Sequence, residues 1–284
     1  SRSSLQLWGN AEGDPVSSGN GGGWPLVDVV LLTGVDRFSL DAVSFSLTDS
    51  CPSVCAVMYD VRADDGCEAG YAVVCSELNP MAFGEGSRRA IGEDECCLTC
   101  AVKHDLSHVL ADSCGRSDVL LVCLPLGLEG TAVARYLDEL SVLGELPCVV
   151  NSTVVATAVG LNEFESELFD DDQLCLCGSG DDAVLDSRSR GVVASRLIRE
   201  AGHILELPLV DSGSSRLHDV AEANRRVRDA DRIVRVLADP LAIVHADAHA
   251  GIFMIWWLLI AQPVALWRRG ASSDRTLSHI RGMW

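Results

Sequence analysis

Leu26-Val27-Asp28-Val29-Val30-Leu31-Leu32-Thr33-Gly34 decides the fold. The run is apolar almost throughout, does not alternate, and ends in a glycine, which is the pattern of a strand covered on both faces in a parallel sheet. Ser39 to Leu47 follows with Leu40, Val43 and Leu47 at helical spacing, so strand, loop and helix come in succession. Later segments repeat the alternation. Ser53 to Tyr59, Ser117 to Pro125 and His203 to Asp211 read as strands, and Pro147 to Val159 is a further β-branched run. Ala101 to Leu110, Thr131 to Leu143, Val192 to Glu200 and Ser215 to Leu237 have helical spacing, while Tyr71 to Leu78 fits either state. The expected class is α/β, a mostly parallel sheet with helices on both faces.

Composition narrows the function. A chain of 284 residues, 48% of them hydrophobic, can bury a full core and has room for one or two domains. Its net charge of −19 argues against nucleic acid as a direct partner, because phosphate-tracking surfaces concentrate Lys and Arg. The twelve cysteines are scattered, and Cys55, Cys75, Cys123 and Cys148 sit inside apolar runs. That usage reads as reduced, buried thiols of a cytoplasmic protein. Ser1 to Gly23 lacks the apolar core of a signal peptide, so 1–25 is expected to be a flexible leader. Ile252 to Trp267 is sixteen residues long and contains Gln262 and Pro263, short of the roughly 20 that a membrane span needs. A buried strand from Ile252 to Ile260 followed by a turn is expected there, and no membrane.

Metal-competent side chains are densest in Glu95-Cys96-Cys97-Leu98-Thr99-Cys100-Ala101-Val102-Lys103-His104-Asp105-Leu106-Ser107-His108. Cys97 and Cys100 have the C-x-x-C spacing that lets two thiolates reach one soft cation. On a helix, Cys100, His104 and His108, each four apart, share a face. Thiolate with imidazole is the ligand set zinc prefers. The same pair also fits a thioredoxin-like redox couple or two buried thiols. Cys175-Leu176-Cys177 and His245-Ala246-Asp247-Ala248-His249 are weaker metal candidates.

Cys97 to Leu106 resembles the metal-site segment of the CobW-like GTP-binding metallochaperones, C-x-C-C followed by x-x-R/K-x-D-L, with Thr99 in place of the middle cysteine. The resemblance carries over Cys97 and Cys100, and a third ligand must come from elsewhere; Asp60, Asp64, Asp65, Cys67 and Glu68 lie where the family has a switch segment. It also places a P-loop at Gly34-Val35-Asp36-Arg37-Phe38-Ser39-Leu40-Asp41, with Gly34 kept, Ser39 at the second glycine, and Leu40 and Asp41 where the lysine and the Mg²⁺-binding hydroxyl belong. Asp211 stands where the family reads guanine, without its Asn-Lys pair. Leu237 to Val244 is similar to the segment closing the family's first domain. Residues 26–247 would then form that domain and 248–284 a short α+β module ending in Arg281-Gly282-Met283-Trp284.

The resemblance implies a zinc-binding metallochaperone, sensor or adaptor serving a protein client or large complex, with an impaired site for GTP and Mg²⁺. An atypical GTPase, a thiol oxidoreductase and a partner-docking protein of the zinc-starvation response are the alternatives.

Overall fold

A computed structural model of the chain describes residues 24–67, 70–92, 97–208, 217–250 and 252–268. Its centre is β1 (Leu26–Thr33), bracketed by parallel neighbours β5 (Val119–Cys123) and β6 (Val149–Gly160). Alternate residues of β1 feed two different cores. Val27, Val29 and Leu31 point to one face, with α3 (Leu98–Ser113) and α4 (Gly130–Leu143). Val30 and Leu32 point to the other, with α1 (Arg37–Ser50) and α8 (Ile252–Ala261). A strand with both faces buried has no polar face to alternate, which is why this run, Asp28 apart, is apolar.

The eight-stranded sheet has the order β10-β9-β6-β1-β5-β2-β3-β4. β2 (Cys55–Ala63) is parallel to β5, and β3 (Tyr71–Glu77) returns antiparallel along it, so the Tyr71 to Leu78 ambiguity resolves to strand. Short strands close both edges: β4 (Arg88–Ile91) beside β3, and β10 (Ile243–His245) beside β9 (His203–Leu207). The one-turn helix α2 (Pro80–Phe83) links β3 to β4. α5 (Phe164–Leu168), α6 (Arg190–Glu200) and α7 (Leu217–Leu237) cover the β9 side. A two-stranded antiparallel sheet, β7 (Gln173–Cys177) with β8 (Val184–Ser189), was not expected.

Two expectations are corrected. Ile252 to Ile260 is helical, not a strand. Periodicity cannot separate these states in a run that is apolar all round, and here Ile255, Trp256 and Leu259, at i, i+1 and i+4, are the residues buried against α1. The Trp256 indole N–H donates to the Leu47 carbonyl and to Ser50 Oγ, both at 3.0 Å. The strand expected over Ser53 to Tyr59 also runs further, because β2 continues to Ala63. Within the described part of 248–284, α8 and the 3-10 turn Leu266–Arg268 both pack on the central sheet, Ile255 in one core and Trp267 in the other.

Candidate functional site

α3 is amphipathic in a way that fixes which of its side chains meet solvent. Ala101, Val102, Asp105, Leu106, Val109 and Leu110 form its buried stripe. Cys97, His104 and His108 are exposed and Cys100 is half-buried, so the sequence-derived donors all fall on the outer side or at the helix start. Cys97 is the N-cap, with extended backbone at φ −165°. Tyr136 of α4 flanks this face, its ring 6.3 Å from that of His104 and 5.7 Å from Lys103 Nζ. Among the described residues no group of three or more His, Cys, Asp or Glu side chains is arranged to hold an ion. Cys96 and Glu95, the nearest spare donors, lie outside those residues, as does Glu68.

Several of the other candidate ligands are engaged by partners of their own. Asp60, in β2, accepts from Arg37 Nη1 at 2.7 Å. Asp64 holds its own turn, accepting from the Gly66 N–H and the Cys67 thiol. Cys175 donates to the Cys177 carbonyl at 3.3 Å within β7. His245 is buried and His249 bonds Ser46 Oγ through Nδ1 at 2.7 Å, so that pair is split.

Asp105 is the residue of this segment that sequence reasoning passed over. It is buried in the apolar stripe of α3, where it accepts from the Tyr59 hydroxyl at 2.9 Å and forms a bidentate pair with Arg89. One carboxylate thereby ties α3 to β2 and β4. Burial, with the Cys75 and Asp105 charges, raises the Tyr59 hydroxyl well above its usual range. An acid set between Val102 and Leu106 on a core-facing stripe was the available signal, because such a group must be paired.

Among the described residues, side chains occupy the crevice above β1 and β5, where doubly wound sheets place ligands. Only Gly34, Val35 and Asp36 separate β1 from α1. Asp36 caps the helix, its carboxylate accepting from the Ser39 N–H at 2.6 Å, so an anion already stands at the positive end of α1. Ser39 is 1% exposed, and a Cβ on Gly160 would lie 2.6 Å from its hydroxyl. The Gly34 carbonyl accepts from the Gly127 N–H at 2.9 Å. Val35 packs into a cluster with Leu174 of β7 and Val193, Ala194 and Leu197 of α6, so the small sheet acts as a plug. Glu167 lies close by and its carboxyl is pushed up to about 7, by burial first and then by the charge of Asp36. Asp211 lies outside the described residues.

Further polar groups, buried or half-buried, are structural. Glu200 accepts from the Gly130 and Thr131 N–H groups at 2.6 and 3.1 Å, capping α4 from another helix. His203 Nδ1 is 3.1 Å from His245 Nε2, and its Nε2 is 3.0 Å from the Gln262 carbonyl. A carbonyl only accepts, so His203 carries its proton on Nε2 and receives the Nε2 proton of His245 on Nδ1. Glu206, fully buried on β9, has Arg235 of α7 4.0 Å away.

Against known proteins, no family model, no curated protein and no solved structure matches this chain.

Proposed function

We propose that the protein binds and passes on a thiophilic divalent cation, zinc first, through the thiolates of Cys97 and Cys100, as a metallochaperone, sensor or adaptor of CobW-like type. The observation that carries this reading is the placement of both thiols in the first turn of α3, with His104 and His108 on the solvent side of the same helix. Two thiolates from one turn, with an imidazole a turn further on, suit a borderline-soft ion. Such a donor set leaves coordination positions open to a client's ligands. Permanent structural zinc sites are instead closed by four protein ligands. In this reading the ion is cargo, and the acidic surface of the chain keeps the approach to the site favourable for cations.

GTP is not part of the proposed cycle. Asp36 at the start of α1, Glu167 beside it and the apolar plug of Val35 and Leu174 all oppose a bound triphosphate.

Protein purified without chelator is the material for the test. Cys97→Ser and Cys100→Ser are each expected to lose most bound zinc, while Cys175→Ser and Cys177→Ser keep it, as read by elemental analysis. Equal zinc in all four variants would sink the assignment. Alkylation separates metal from redox chemistry: zinc should protect Cys97 and Cys100 and a chelator should expose them. If a dithiol alone controls the rate, the oxidoreductase reading replaces this one.

A further inference from the structure

α3 ends at Ser113 and Cys114 caps it, with its N–H bonded to the Leu110 carbonyl. The chain returns to this place where Leu146-Pro147-Cys148 leads into β6. There the Cys114 thiol donates to the Pro147 carbonyl at 3.5 Å, which places it beside the residue that precedes Cys148. Both belong to the core between the sheet and the α3–α4 layer: Cys148 is buried within it, and Cys114 packs against it while remaining partly exposed. Two thiols from segments distant in sequence are therefore brought to one corner of the core, one of them partly open to solvent.

We propose that Cys114 and Cys148 form a modification site, which a peroxide-class oxidant converts to a disulfide clasping the end of α3 to the start of β6. Cys114, the accessible thiol, reacts first. Its sulfur attacks one peroxide oxygen, the O–O bond breaks, and sulfenic acid and one water result. Cys148 then attacks that sulfur as it gives up its proton; the S–S bond forms, the S–O bond breaks, and hydroxide leaves with the proton as a second water. In total two thiols and one peroxide give one disulfide and two waters. Burial, and then Cys114 itself, push the Cys148 thiol up to about 11, which leaves the first attack on the peroxide to Cys114. The site lies at the opposite end of α3 from Cys97 and is independent of the metal reading.

The full chain, reduced and freed of metal, would be treated with hydrogen peroxide, alkylated, and peptide-mapped without reductant. The expected product is a peptide pair joined through Cys114 and Cys148, separated again by a dithiol. In Cys148→Ser, Cys114 should instead be trapped as its sulfenic acid by dimedone. Should the buried substitution fail to fold, Cys114→Ser, at the more exposed position, must abolish the joined pair. Recovery of both residues as thiols while Cys97 and Cys100 oxidise, or a bond from Cys114 to any other cysteine, overturns the proposal.

Discussion

Asp105 shows how much one buried charge can organise. It meets Tyr59 and Arg89 with both oxygens, so Asp105→Asn leaves a half-exposed guanidinium without its counter-charge and weakens the link from α3 to the sheet. We expect a loss of about 2 kcal/mol in urea denaturation. Tyr59→Phe should cost less, on the order of 1 kcal/mol, because the carboxylate keeps Arg89. His203 and Glu206 set the pH dependence, with opposite signs. Burial holds His203 down at about 4 against an ordinary 6.5, so the unfolded chain binds a proton first as pH falls. Stability is then lost between about 6.5 and about 4, on the order of 3 kcal/mol. Glu206 is raised to about 8 by burial and then by Asp231, so the folded state keeps a proton that the unfolded chain sheds near 4.5. That contribution is present at low pH and lost as pH rises from about 4.5 through about 8. Glu206→Gln should therefore raise the melting temperature more at pH 8 than at pH 5. An equal shift at both would remove Glu206 from the pH profile.

At the scale of elements, the connection from β1 to α1 separates what the sequence shows from what it hides. The apolar run at Val27 to Leu32 and the spacing of Leu40, Val43 and Leu47 were enough to place strand and helix, because both report burial directly. Ser39 was read as a phosphate-facing position, yet it is sealed beneath Gly160. Its neighbours there come from β6, more than a hundred residues away, and no local pattern records them. The plug has the same origin: Leu174 and Val193 are unremarkable apolar residues until folding brings them to Val35. That Cys100, His104 and His108 share the outer side of α3 was legible because one helix carries all three, whereas the His203–His245 pair needed two strands to be paired first. A filled crevice gives a direct prediction. Calorimetry with GTP and Mg²⁺ should show no binding tighter than about 1 mM, that is about −4 kcal/mol. Micromolar binding would mean that the β7–β8 sheet swings away.

Taken whole, the molecule has a net charge of −19, and like charges spread over one compact body repel. Raising ionic strength from about 10 mM to about 150 mM should therefore raise the melting temperature, since the screening length falls from about 30 Å to about 8 Å. A flat response would show that the acidic residues are already paired locally.

The sheet also has two ends. One is β4, four residues long and opening with Arg88 and Arg89; the other is β10, three residues long. An exposed ladder edge is a template on which another chain can crystallise its own backbone, and the defences are brevity and charge. Arg89 supplies that charge while also neutralising Asp105, so Arg89→Val would remove a core counter-ion and a guard against fibre growth in one step.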